Sequence, residues 1–87
     1  MLVWADSALD DLHVIRAGLA ADSALRVGRI IADAVECLVE FPDRGRIGTA
    51  PGTRDLPLPG LPWRVIYRVS ERGVVTVLRL LKPQSPQ

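Results

Sequence analysis

Apolar residues recur at helical spacing near the start of the chain. The apolar run Met1–Trp4 precedes a polar stretch and predicts a brief strand. Asp6 or Ser7 is then expected to cap a first helix, because the oxygen of a short polar side chain can accept hydrogen bonds from the free backbone N–H groups of the first turn. The apolar stripe of this helix comprises Ala8, Leu12, Ile15 and Leu19.

A second helical stripe follows after a short connection that begins at Gly18. Its members are Ala24, Val27, Ile31, Ala34, Val35 and Leu38. Asp22 or Ser23 is expected to cap this helix, and Pro42 to end it near Phe41. The short connection predicts an antiparallel helical hairpin.

The second half of the chain has the composition of strands and turns. Residues 43–51 are rich in glycine and arginine and predict a loop. Three segments then predict strands, namely residues 53–58, 63–70 and 74–81, with a hairpin turn at Ser70–Gly73 between the last two. The element order β-α-α-β-β-β predicts one α+β domain over residues 1–82, with the helical hairpin packed on a small antiparallel sheet. Residues 83–87 form a polar C-terminal tail.

Alternation along the strands assigns side chains to the two faces of the predicted sheet. Trp63, Val65, Tyr67 and Val69 share the face expected under the helices, and Arg64, Ile66 and Arg68 share the opposite one. The same alternation groups Arg79 with Val75, Val77 and Leu81. The strand register, which the sequence leaves open, decides which face Arg54 and Arg79 occupy.

Composition and charge exclude several classes of protein. The chain has 87 residues, of which 48% are apolar and 24% charged, as expected of one globular domain. No apolar run approaches the ~20 residues that span a bilayer, and the N-terminus shows no secretory leader, so we expect no membrane contact and a cytoplasmic protein. One cysteine and one histidine form no metal-binding pattern, so neither a metal nor a cofactor is expected.

The net charge of +1 conceals a strong asymmetry. Residues 1–43 carry eight acidic and three basic residues, a net charge of −5, whereas residues 44–87 carry eight basic and two acidic residues, a net charge of +6. Ten of the eleven basic residues are arginines, whose planar donor fork suits phosphate and carboxylate groups. The candidate target- or phosphate-binding residues are Arg54, Arg64, Arg68, Arg79 and Lys82. A solvated sheet face, or ion pairing with acids of the same chain, is the alternative.

Candidates for acid–base chemistry are few, and each has a structural alternative. His13 is expected on the surface of the first helix, and Glu71 in an exposed turn. Asp55 is expected to pair with its neighbour Arg54 or to serve a turn, Tyr67 to pack in the core, and Cys37 to be a small buried apolar group. No catalytic residue is therefore assigned.

Four segments in this order resemble the ParE/RelE toxin superfamily of type II toxin–antitoxin systems. They are W-A-D-S-A-L-D-D-L-x-x-I from Trp4, L-x-x-F-P-D-R-G-R-x-G from Leu38, G-T-R-D-L-P-L from Gly52, and L-P-W-R-V-I-Y-R-V from Leu61 followed by V-x-V-L-R-L-L. The resemblance covers residues 4–81. It implies a helical hairpin against a twisted sheet and a cognate antitoxin as partner. It also implies basic sheet residues at positions matching Arg54, Arg64 and Arg79.

The superfamily has two main activities. RelE-like members cut mRNA on the ribosome and use a tyrosine, histidine or acid for proton transfer, often near the C-terminus. ParE-like members poison DNA gyrase. The tail after Leu81 contains neither His nor Tyr, which departs from the RelE-like pattern and favours a ParE-like gyrase inhibitor. The alternatives are an mRNA endoribonuclease and a degenerate toxin that only binds its antitoxin.

Overall fold

The computed structural model describes residues 1–82 and confirms an α+β fold. The predicted tail at residues 83–87 lies outside the described residues. The elements are β1 (Leu2–Trp4), α1 (Asp6–Ala17), α2 (Ala21–Glu40), β2 (Arg46–Ile47), β3 (Arg54–Pro57), β4 (Arg64–Val69) and β5 (Val75–Leu81).

Each helix buries part of the stripe that the sequence predicts, and Leu19 of the first stripe lies beyond the end of α1. Ala8 and Ile15 of α1 are buried, as are four apolar side chains of α2, namely Val27, Ile31, Val35 and Leu38. The predicted caps were wrong: Ala5 and Ala20 occupy the N-cap positions, and neither helix start has a side-chain cap. Ser7 lies inside α1, where its hydroxyl donates to the carbonyl oxygen of Leu78 (2.8 Å).

The five strands form one mixed sheet in the order β1-β5-β4-β3-β2. Three neighbouring pairs are antiparallel, as expected, but β1 runs parallel to β5. A parallel edge arises because two helices intervene between β1 and the rest of the sheet and return the chain to the same end. The expected loop over residues 43–51 contains the additional strand β2, whose two exposed residues are too few for an alternation signal.

A β-bulge in β5 changes the predicted alternation of its side chains. Tyr67 pairs with Val77 and the preceding Ile66 pairs with Arg79, so that Leu78 has no partner in β4. An extra residue inverts the faces beyond it. Strict alternation predicts that Arg79 shares a face with Val77, and this was wrong. The bulge turns Arg79 to the opposite face, and Leu80 enters the core instead.

The core lies between the helices and the facing side of the sheet. Its strand residues are Val65, Tyr67, Val75, Val77 and Leu80, and Leu58 joins them just after β3. The predicted hairpin turn at Ser70–Gly73 is confirmed, with Gly73 at a φ of 80° that other residues rarely adopt. Within residues 1–82, neither helix combines the length and apolar character needed to cross a membrane.

Candidate functional site

The sheet face opposite the helices carries most of the basic strand residues, and we call it the outer face. Val65 and Tyr67 are buried against the helices, so their neighbours in β4 point the other way. The register extends this assignment across the sheet, because paired residues share a face. The outer face comprises Val3, Arg46, Asp55, Pro57, Arg64, Ile66, Arg68, Thr76, Arg79 and Leu81.

Intramolecular ion pairs engage three of the five predicted binding residues: Arg54 with Asp43, Arg64 with Asp55, and Arg79 with Asp11. Arg68 is exposed on the outer face, and within residues 1–82 no acid lies within salt-bridge distance of it. The predicted residues therefore differ in kind: some are held by their own chain, whereas Arg68 is open to a partner.

Arg54 lies on the helix side of the sheet, in register with Tyr67, and holds the loop that follows α2. Its Nη1 donates to the carbonyl oxygen of Gly45 (2.8 Å), and its Nη2 lies 3.4 Å from a carboxylate oxygen of Asp43. The expected pair between Arg54 and Asp55 was wrong, because successive strand residues point to opposite faces.

Tyr67 secures the same loop from beneath. Its hydroxyl donates to the carbonyl oxygen of Pro42 (2.7 Å) and accepts the backbone N–H of Gly45 (2.9 Å). The approach is so close that a Cβ at Gly45 would lie 2.6 Å from the Tyr67 oxygen. Burial raises the pKa of Tyr67 above its ordinary value. This tyrosine is a structural anchor, as the core prediction implied.

Asp55 is the buried acid of the outer face, with a residue exposure of 7%. One of its carboxylate oxygens accepts a hydrogen bond from Nη1 of Arg64. Its other oxygen and Nε of Arg64 are buried and without a hydrogen-bond partner among the described residues. Arg64 is therefore held against the strand by a carboxylate that has few other partners.

Asp11 of α1 accepts hydrogen bonds from both the side chain and the backbone of β5. Nε and Nη2 of Arg79 lie 2.7 and 3.1 Å from its two oxygens, and the backbone nitrogen of Leu80 lies 2.9 Å away. The hydrogen bonds from Arg79 hold the pKa of Asp11 below its ordinary value, and the same contact raises the pKa of Arg79.

Asp11→Asn is expected to lower the melting temperature by a few degrees at neutral pH and to have less effect in acid. Because the pKa of Asp11 is lowered by folding, its contribution is present above about pH 4 and is lost as the pH falls through the folded-state value. Thermal unfolding monitored by circular dichroism from neutral to acidic pH measures this. An equal loss at both ends of that range would contradict the charge-based account.

Lys82 and Trp63 meet at the far end of β5. The Lys82 ammonium lies 5.9 Å from the centre of the Trp63 ring, within the range of a cation–π contact. Lys82 is exposed, so this contact leaves its charge available to solvent.

The remaining candidates for acid–base chemistry lie away from the outer face. His13 is exposed on α1, and Glu71 is exposed in the hairpin turn, as expected. Cys37 is exposed on α2, so its predicted burial was wrong; it lies one position before the buried Leu38, outside the apolar stripe.

Sequence reasoning missed three residues of this arrangement. Arg46 lies in the segment expected to be a loop, and it joins the outer face only through pairing of β2 with β3. Asp11 and Asp43 are acids that hold predicted binding residues. The motif segments that carry the family resemblance contain all three, which was the available signal.

Comparison with known proteins places the fold and its residues in a family. A family model described as the ParE toxin of type II toxin–antitoxin system, parDE, matches residues 2–84. The chain belongs to the ParE toxin family. It is accordingly the toxin of a type II toxin–antitoxin system. The family match confirms the resemblance in its ParE-like form.

Individual proteins share part of its sequence or its fold. The chain is 36% identical over 66 residues to the candidate toxin Y4kP of Sinorhizobium fredii. The aligned region covers 76% of this chain and 69% of that protein. It resembles a structure of the chromosomal ParDE system from P. aeruginosa at a TM-score of 0.83 and 27% identity, over 95% of each chain. The isolated E. coli RelE toxin shares the fold at a TM-score of 0.64 and 17% identity, over 100% of this chain and 87% of that one.

Proposed function

We propose that this ParE-family chain poisons DNA gyrase in the cytoplasm and is neutralised by a cognate antitoxin protein. The observation that supports this most is the ParE family match over residues 2–84, together with a closer structural likeness to ParDE than to RelE. The P. aeruginosa relative is part of a ParDE system and the E. coli relative is known in a RelBE complex, which supports an antitoxin partner.

The chemistry of the outer face also favours a binding role over mRNA cleavage. Arginine holds its proton at any working pH and cannot act as a general base. The two groups nearest to that role are otherwise engaged: Asp55 is paired with Arg64, and the Tyr67 hydroxyl is buried beneath the loop on the helix side. A face of arginines without an available base suits docking to an acidic or phosphate-bearing surface.

Inducible expression with two readouts tests the target. We expect growth arrest with gyrase-dependent DNA breaks and intact mRNA on translating ribosomes. Cleavage of mRNA without DNA breaks would favour the RelE-like alternative and overturn the proposal. Antitoxin binding without any growth arrest would indicate the degenerate toxin instead.

Arg68→Glu is expected to weaken target or antitoxin binding about tenfold, because Arg68 is exposed on the outer face and its reversal breaks no ion pair among residues 1–82. Arg72→Glu is the matched control, since Arg72 is exposed in the hairpin turn beyond the strands. Both variants should have the same melting temperature as the wild type. If Arg72→Glu weakens binding as much as Arg68→Glu, overall charge and not the outer face is responsible.

A further inference from the structure

The edge of β5 is completed by side chains of α1 where β1 ends. β1 pairs with β5 as far as Trp4, and the backbone N–H of Ala5 makes the last bond of that edge, to the carbonyl oxygen of Val77. Beyond it, the Ser7 hydroxyl donates to the Leu78 carbonyl and Asp11 accepts the Leu80 N–H. Asp11 is thus tied to the backbone of β5 directly beside Arg79.

The ion pair between Asp11 and Arg79 uses only one side of the guanidinium. Nε and Nη2 of Arg79 each point to one oxygen of Asp11, which is a side-on, bidentate contact. Nη1 makes no hydrogen bond to the described residues, and Nη2 has a second N–H. Two parallel donors at the end of the guanidinium are therefore unused.

The Arg79 side chain is more exposed to solvent than the Asp11 side chain that holds it. The Asp11 side chain is 18% exposed, whereas that of Arg79 is 48% exposed. Arg64 differs, since its Nε is buried without a partner, and so does Arg54, whose Nη1 is bonded to the Gly45 carbonyl. Arg79 alone among these three combines a fixed guanidinium with an open end.

Fixing a guanidinium lowers the entropic cost of binding a second oxyanion, and this gain must exceed the repulsion between that oxyanion and the Asp11 carboxylate. A long side chain loses rotamer freedom when it binds, and this loss weakens the complex. Asp11 and the β5 backbone impose that loss during folding, so it does not recur on binding. The remaining donors are spaced to meet two oxygens of one phosphate or carboxylate group.

We propose that Asp11 is a positioning residue that holds Arg79 so that its two unused donors bind a bidentate oxyanion, a phosphate or carboxylate group, at the outer face. This inference rests on the proposed role of the outer face as a docking surface for an anionic partner. It adds that Arg79 binds that partner with its acid in place and not by releasing it.

Arginine-detected NMR on the full chain tests the proposal, with inorganic phosphate and then acetate as probes at constant ionic strength. We expect a saturable shift of the Arg79 Nε–Hε signal, with phosphate affinity about fivefold weaker in Asp11→Asn than in Asp10→Asn. Asp10 is exposed next to Asp11 on α1, so the control removes the same charge without touching Arg79. A response to phosphate alone assigns a phosphoryl partner, and a response to both probes shows that a carboxylate is sufficient.

Equal phosphate affinity in the two variants, or tighter binding by Asp11→Asn, would overturn the positioning role. If Arg46 and Arg68 respond while these variants do not differ at Arg79, the docking surface stands and only the role of Asp11 fails. If none of the three arginines responds, both the docking surface and the positioning role of Asp11 are contradicted. Should Asp11→Asn not fold, the wild type is sufficient: separate Nη signals are expected for Arg79 and averaged ones for Arg68, and averaged signals at both would overturn the proposal.

Discussion

Tyr67→Ala is expected to lower the free energy of unfolding by about 3–5 kcal/mol, the largest effect of any single substitution considered. Tyr67 is fully buried, and its hydroxyl is bonded to the loop at Pro42 and Gly45. The substitution therefore creates a cavity in the core and releases the loop together. Because a domain of this size has a total stability of about 5–10 kcal/mol, the variant should keep only a small part of the wild-type stability.

Tyr67→Phe separates the two contributions. It keeps the packing and leaves the Gly45 N–H and the Pro42 carbonyl without their partner, which should cost about 1–3 kcal/mol. Urea unfolding measures both variants, and hydrogen exchange at the Gly45 amide reports on the loop. A phenylalanine variant as stable as the wild type, with Gly45 still protected, would contradict the anchoring role. Ile66→Ala on the outer face is the control and should cost less, because Ile66 is half-buried.

Arg64→Ala is expected to lower the free energy of unfolding by about 3 kcal/mol, because it leaves the buried carboxylate of Asp55 without its counter-ion. The double substitution Asp55→Leu with Arg64→Met should recover most of that loss, since apolar side chains of similar size often replace a buried ion pair without penalty. Chemical unfolding of the single and double variants measures the difference.

The double variant also decides what Arg64 does for function. Loss of growth arrest in Arg64→Ala alone is ambiguous, because that variant is destabilised. A stable double variant that is still toxic would show that Arg64 acts through the fold, whereas a stable and inactive one would place Arg64 among the residues that contact the partner. A double variant no more stable than Arg64→Ala would contradict the ion-pair account.

Short-range patterns carried most of the fold prediction. The stripes of α1 and α2 and the alternation of β4 are local consequences of helix and strand periodicity, and the structure confirms them. The helix caps were wrong because Ala5 and Ala20 leave no side-chain signal at those positions. The sequence did not predict the parallel pairing of β1 with β5, because it joins residues more than seventy positions apart.

The sequence alone determined an α+β fold whose acidic helices back an arginine-bearing sheet, because periodicity and charge are properties of neighbouring residues. The tertiary structure decided which arginines are open to a partner. Whether an arginine is open depends on the strand register and on the bulge at Leu78, which bring Asp11, Asp43 and Asp55 to Arg79, Arg54 and Arg64 and leave Arg68 exposed. An ion pair between distant residues depends on the position of the whole backbone, which no local pattern of residues encodes.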